Sequence, residues 1–311
     1  MIDIRKHLPS IHSYEKKTTR YILPDENSSE GQFVPDIVLR YGKFSSVLRS
    51  VFRIGPYLAG CIRELKRSYK EVNDQPESFR TSIDEEGLCE LKEFIFSLGI
   101  DEIGWAKTAR SDIFSNQKIV YPNAIVLLMH MDRTIMESAP SKKSQKEIFR
   151  TYYALNRAVN SIKRYLNENN FHGEAGPALG GEVKYPHLAQ KANLGAVGKS
   201  GLLITPTFGP CIRIAAVFTD IENLPFSKEN EYMWIRDFCK CCNRCVTACP
   251  SHAIEDTSDN HHLDYTRCAV PFSTRYGCSI CINSCTFFKS PFSKIRKAHM
   301  KHTHSLDFPM T

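Results

Sequence analysis

The clearest alternation of apolar and polar positions begins at residue 82. Leu88, Leu91, Phe94, Ile95 and Leu98 recur at helical spacing behind Ser82-Ile83-Asp84-Glu85, a capping-box-like start, and Gly99 closes the run. A short strand follows around Ile103–Ala106. Ala124–Met129, after Tyr121-Pro122-Asn123, is an unbroken aliphatic stretch, which predicts a strand buried on both faces. Ser144–Asn169 predicts the longest helix. Phe149, Tyr152, Tyr153, Val159, Ile162 and Leu166 form its apolar face, with Lys163 and Arg164 opposite. Upstream, residues 1–80 are weakly periodic, punctuated at Pro24-Asp25-Glu26-Asn27, and predict one helix near Val47–Tyr69. Helix, strand, strand, long helix and glycine-rich turns indicate an α+β or α/β core. That pattern gives way to a different one around Asp220–Lys228, the expected domain boundary.

Composition narrows the class. The chain has 311 residues, 42% hydrophobic and 24% charged, which excludes a wholly disordered or collagen-like protein and allows one large domain or two modest ones. No apolar run approaches the roughly 20 residues a membrane helix needs. The N-terminus has neither a signal-type apolar segment nor a twin arginine, so a soluble cytoplasmic protein with no membrane partner is expected. The net charge of +7 sits at the ends: residues 1–80 carry 14 Lys/Arg against 10 Asp/Glu, and residues 286–311 carry 5 against 1. Such ends suit an acidic partner such as tRNA, or simply a solvated surface, and no recognised nucleic-acid motif decides between them.

Cysteine carries the chemistry. Nine of twelve fall between Cys239 and Cys285, and dense cysteine in a cytosolic chain reads as metal binding rather than disulfides. One set is Cys239-x2-Cys242-x2-Cys245-x3-Cys249-Pro250; the other is Cys268, then Cys278-x2-Cys281-x3-Cys285. Cysteines at two-residue intervals wrap one corner of a cubane. The cysteine three residues further on reaches the neighbouring cluster. That crossover predicts Cys239, Cys242, Cys245 and Cys285 on one 4Fe–4S cluster, and Cys249, Cys268, Cys278 and Cys281 on a second. Paired zinc sites are the alternative, but they use Cys-x2-Cys pairs separated by a longer spacer. Cys241 is off register and reads as a bystander. Cys61, Cys89 and Cys211 read as buried hydrophobes, and His261–His262 as solvated.

Asn193-Leu-Gly195-Ala-Val-Gly198-Lys199-Ser200-Gly201 ends like a phosphate loop, but Asn193 stands where the leading glycine is required. No dinucleotide fingerprint is present either. Gly195, Gly198 and Gly201 are therefore close-approach positions before an apolar strand at Leu202–Thr205, facing either a bulky ligand or another stretch of backbone.

From about Leu98 to Phe288 the chain resembles the cobalamin-dependent iron–sulfur reductases, the epoxyqueuosine reductases and reductive dehalogenases. The likeness rests on Leu188-Ala189-x4-Leu194-Gly195-x2-Gly198-Lys199-x-Gly201-Leu202-Leu203-Ile204-Thr205, on Phe208-Gly209-Pro210-x2-Arg213, on Val217-Phe218-Thr219-Asp220 and on the eight cysteines. The resemblance implies a nitroreductase-like, cobalamin-binding core at 81–228 after an N-terminal segment at 1–80. A two-cluster ferredoxin-like module at 229–290 and a basic tail at 291–311 would follow. It also implies cobalamin beside Leu194, Gly195, Gly198, Lys199, Ser200, Gly201 and Leu202. Electrons would come from an external ferredoxin or flavodoxin and pass through the clusters to a small organic or modified-nucleoside substrate. Glu174, in Glu174-Ala175-Gly176-Pro177, and Tyr185 are the implied proton donors. Thr286 stands where the family carries a proline after the last cluster cysteine. An electron-transfer or corrinoid-reducing protein without substrate chemistry is the second expectation.

Overall fold

The computed structural model describes residues 20–31, 40, 44–255 and 263–306. The connector holding His261 and His262 lies outside them. In chain order the helices are α1 (Phe44–Lys70), α2 (Glu85–Ser97), α3 (Arg133–Met136), α4 (Lys142–Glu168), α5 (Tyr185–Lys191), α6 (Trp234–Cys242), α7 (Arg244–Ala248), α8 (Tyr265–Thr274), α9 (Ile280–Ser284), α10 (Thr286–Lys289) and α11 (Phe292–Leu306). The strands are β1 (Glu102–Lys107), β2 (Asn123–His130), β3 (Glu174–Gly176), β4 (Ala196–Val197), β5 (Leu203–Ile204) and β6 (Ile212–Thr219).

An antiparallel sheet of order β1-β2-β6-β3 forms the centre. Strand β2 is buried from Asn123 to Met129, as its continuous aliphatic run requires. Side chains alternate across a strand, so Ile125, Leu127 and Met129 enter the core under α2 and α4, while Ala124, Val126 and Leu128 enter the core under α5. Helix α2 starts where Asp84 accepts a hydrogen bond from Gly87 N at 2.9 Å, and Gly99 leaves it at φ +81°. The cap is Asp84 rather than Ser82.

Helix α4 is buried on two sides rather than one. Lys163, expected on its solvent face, is 3% exposed and donates from Nζ to Asp74 O at 2.7 Å. The reason is α1, which lies along that side. Ser68 Oγ and Asn160 Oδ1 are 2.9 Å apart, and Asn160 Nδ2 donates to Glu64 O at 3.0 Å. Buried amides that satisfy a neighbouring helix in this way look, in sequence, like a polar face. Among the isolated cysteines, Cys61 and Cys211 are buried as expected, but Cys89 is exposed on the outer side of α2, 3.9 Å from Glu93 Oε1.

Helices α6 to α11 make the cysteine-bearing end and are fastened to the sheet end by backbone. Asn283 Nδ2 donates to Glu137 O at 2.8 Å, and the Arg133 guanidinium donates to Phe288 O. Gly209, at φ +57°, lies so close to Phe287 that a Cβ there would sit 2.6 Å from Phe287 O. No helix among the described residues is long and apolar enough to cross a membrane.

Candidate functional site

The cysteine-rich end repeats one backbone device. Asn243 (φ +49°) and Ser279 (φ +65°) are left-handed residues that each open a five-residue helix, α7 and α9. These helices end at Cys249 and Cys285, both in extended conformation. Each device therefore aims the cysteine inside its helix and the one after it in different directions. The two helices pack against each other, so the closing cysteine of each swings toward the other's group.

One cavity is lined by Cys239, Cys242, Cys245 and Cys285, with Lys199, Ser200, Phe238, Thr286 and Phe287 among the other residues of its wall. Cys242 Sγ and Thr286 Oγ1 are 3.1 Å apart. At the other centre Cys249, Cys268 and Cys281 share a packing cluster that Cys245 also touches, and Cys278 lies within electrostatic range of Cys249, Cys268 and Cys281. The cavity brings together the four cysteines that the spacing assigns to one group, and Cys245 also reaches the second cluster. Cys241 is exposed.

All twelve cysteines are free thiols. Burial pushes the Cys239 thiol up to about 11 and Cys285 up to about 12. Backbone N–H groups act against that trend: Lys199 on Cys239, and Phe287 and Phe288 on Cys285. At Cys249 burial also raises the pKa, but the N–H groups of Ser251, Ala253 and Ile254 outweigh it and the thiol falls below its usual value. Ala253 N is 3.3 Å from Cys249 Sγ. Buried thiols ringed by amide donors suit thiolates bound to iron, whose charge and hydrogen bonds set the potential. Among the described residues no three His, Cys, Asp or Glu side chains are gathered tightly enough to hold a single ion. A cubane instead spreads four thiolates over four separate irons, so the donor set fits that group.

The glycine-rich stretch divides in two. Gly195 (φ +152°) abuts backbone, since a Cβ would meet Ile204 O at 2.2 Å; at Gly198 it would meet Ile204 Cδ1 at 2.5 Å and Cys239 Sγ at 3.4 Å. Those glycines pack the β4–β5 hairpin against the first cysteine group. Gly201 (φ +75°) differs: nothing lies within 4 Å of its Cβ position. Leu194 is buried in the core under α5, and Leu202 packs in the cluster that holds Tyr152, Cys211, Cys281 and Cys285. Lys199 turns to the cysteine loop, donating from Nζ to Asn243 Oδ1 at 2.5 Å and Lys240 O at 3.1 Å. The Cβ positions of Gly195 and Gly198 are thus taken up by Ile204, while that of Gly201 is open.

Glu174 and Tyr185 meet in a separate buried group. Glu174 Oε2 accepts from Val120 N at 2.7 Å, and burial raises its pKa to about 7 against hydrogen bonds from Val120 and Tyr121. Tyr185 donates to Pro177 O at 3.1 Å, its hydroxyl 2.8 Å from the Cβ position of Gly176. Glu182, 1% exposed, and Tyr69 join them. Burial, then Glu174, pushes Glu182 well above the carboxylate range, and its Oε2 has no hydrogen-bond partner. Glu182 and Tyr69 were missed from sequence. The signal for Glu182 was slight: one acid between Gly180-Gly181 and Val183. No hydrogen bond links this group to the cysteines among the described residues.

No family model matches the chain. It is 29% identical over 186 residues to tetrachloroethene reductive dehalogenase of Desulfitobacterium hafniense, covering 54% of this chain and 33% of that protein. It is 32% identical over 148 residues to the protein of that name in Dehalobacter restrictus (48% and 26%). Against epoxyqueuosine reductase of Listeria monocytogenes it is 29% identical over 120 residues (34% and 30%). The chain is a homologue of reductive dehalogenases and epoxyqueuosine reductases. Both are oxidoreductases. A solved reductive dehalogenase, reported with a mechanism for B12-dependent dehalogenation, shares the fold with TM-score 0.62 at 18% identity, over 77% of this chain and 39% of that one. This mixed helix-and-sheet chain spans 26% to 38% of the length of the curated relatives it matches.

Proposed function

We propose that the chain is an iron–sulfur, corrinoid-dependent reductase. Electrons from a ferredoxin- or flavodoxin-type donor would pass through two 4Fe–4S clusters to cobalamin, for reduction of a small organic or modified-nucleoside substrate. The observation that supports this reading is the gathering of the cysteines: Cys285 stands at one cavity wall with Cys239, Cys242 and Cys245, and Cys249 packs with Cys268, Cys281 and the neighbouring Cys245. Residues 229–290 are then a two-cluster, ferredoxin-like module on a nitroreductase-like core at 81–228, with 1–80 an N-terminal segment and 291–311 a basic tail.

A bound corrinoid supplies the low-potential cobalt chemistry. The chain's own residues do the rest. Lys199 and Ser200 close the wall of the first cysteine cavity, and Lys199 N–H donates to the Cys239 thiol. Gly201 would offer the macrocycle an edge without a side chain in the way, with Leu202 beside it. Glu174, with a pKa of about 7, holds a proton near neutrality as a general acid must. Tyr185 is kept protonated by burial and by the nearby Glu182, Tyr69 and Glu174.

The close packing of Gly195 and Gly198 favours a second reading, an electron-transfer or corrinoid-reducing protein without substrate chemistry of its own. Absorbance titration of the anaerobically iron-loaded protein with cobalamin separates the two. Saturable uptake near one corrinoid per chain supports the reductase. No uptake, with both clusters in place, leaves the electron-transfer reading.

A further inference from the structure

We propose that the lysine face of α11 is the docking surface for an acidic one-electron carrier protein. The inference rests on the iron–sulfur reading above. No Asp or Glu occurs between Asp264 and Asp307, a stretch that holds seven Lys or Arg. Four of the seven, Lys294, Arg296, Lys297 and Lys301, are on α11 and exposed. With 3.6 residues per turn, Lys294, Lys297 and Lys301 share one face. Ile295, 5% exposed, occupies the opposite face and packs with Phe292 against Tyr232, Trp234 and Phe287. The helix is thus seated by its apolar side and turns a single-sign surface outward, with Met300, 45% exposed, at its edge. The nearest exposed carboxylate on α6, Asp237, is held by Lys240 at 2.8 Å.

What lies beneath decides the partner. Aromatic rings lie between α11 and the first cysteine cavity. Trp234 lies 5.3 Å from Phe292 and 5.5 Å from His299, and Phe238 lies 5.1 Å from Phe287, ring centroid to centroid. Phe238 and Phe287 line the cavity of Cys239, Cys242, Cys245 and Cys285. A positive surface one aromatic layer from a redox centre suits a negatively charged carrier, because long-range attraction speeds encounter and orients it. One electron would leave the reduced carrier, oxidising it, and enter the cysteine-held cluster. A solvated tail, or a nucleic-acid face, gives no reason for the helix to lie against this centre.

The test uses the anaerobically iron-loaded protein and two probes, an acidic two-cluster bacterial ferredoxin and an acidic flavodoxin, with binding followed by biolayer interferometry at low and high salt. Lys294→Glu, Lys297→Glu and Lys301→Glu combined should weaken carrier binding at least tenfold at low salt, and salt should weaken the wild type in the same direction. Melting temperature and iron content should match wild type. Lys142→Glu, Lys143→Glu and Lys146→Glu combined, the same charge change at exposed positions of α4, should leave binding within twofold. Equal loss in both triple variants, binding of neither carrier, or loss confined to an added tRNA stem-loop probe would overturn the proposal. Protein that takes up zinc and no iron overturns the iron–sulfur reading as well. Iron-loaded protein whose carrier binding ignores α11 overturns only the docking surface.

Discussion

Thr286 Oγ1 lies 3.1 Å from Cys242 Sγ, so the residue after the last cysteine reaches back to the first cysteine group. The hydroxyl also occupies the position where the resembled family carries proline, which has no side-chain donor. A donor to a cluster sulfur stabilises the reduced, more negative state and raises the potential. Thr286→Val keeps the shape and removes the donor. The expected result is wild-type iron content with a cluster potential lower by about 40 mV, equivalent to about 1 kcal/mol for a one-electron couple. Redox titration followed by electron paramagnetic resonance measures it; an unchanged potential would mean the hydroxyl makes no bond in the loaded protein.

Cys245 and Cys241 separate ligand from bystander within one short segment. Cys245 lines the first cavity, whereas Cys241 is exposed. Cys245→Ala should halve the iron bound per chain and lower thermal stability, since metal binding and local folding are coupled. Cys241→Ala should leave both properties at wild-type levels. Equal iron loss in the two variants would show that the register is wrong.

Two glycines should respond in opposite ways. Gly198→Val drives its side chain into Ile204 and toward Cys239, so overpacking of about 1–3 kcal/mol is expected together with iron loss. Gly201→Asn tolerates the positive φ and fills the open position. It should weaken cobalamin binding at least tenfold while iron content and melting temperature hold. Calorimetry and cobalamin titration of both variants check this, and normal cobalamin affinity in Gly201→Asn would move the corrinoid edge elsewhere.

Glu174 ties stability to pH. Its folded pKa of about 7 lies above the unfolded value of 4.5, so its contribution is fully present below about pH 4.5 and is lost as pH rises through 7. That loss is about 3 kcal/mol in total by linkage. Glu182 is shifted in the same direction and continues the loss. Glu174→Gln should therefore flatten the fall in unfolding free energy between pH 5 and 8 by about that amount, read from urea denaturation at each pH. An unaltered slope would place Glu174 in contact with water.

Much of this arrangement was legible in the residues because spacing restricts it. Three cysteines at two-residue intervals and a fourth three residues on leave few ways to close two four-thiol groups, and Cys285 lines one cavity with Cys239, Cys242 and Cys245. The aliphatic run of β2 likewise had one physical solution, burial on both faces. Lys163 was misread because its amine is satisfied by Asp74 O, a partner 89 residues away that no periodicity reveals. Lys199 reads as a ligand-facing glycine-loop residue, and its amine is held by Asn243 and Lys240 of the cysteine loop, partners that no spacing reveals. The pairing of Glu182 with Glu174 depends on how the loop after β3 returns to the sheet edge, which is tertiary information. The standing of Gly195 and Gly198 as packing positions rests on Ile204, placed opposite them by the β4–β5 pairing.

The most direct test is the iron, acid-labile sulfide and zinc content of the chain after anaerobic reconstitution. Two complete four-cysteine sets predict about eight irons and eight sulfides per chain, with a brown absorbance bleached by dithionite and no stoichiometric zinc. One or two zinc ions per chain with no iron would contradict the account at its centre.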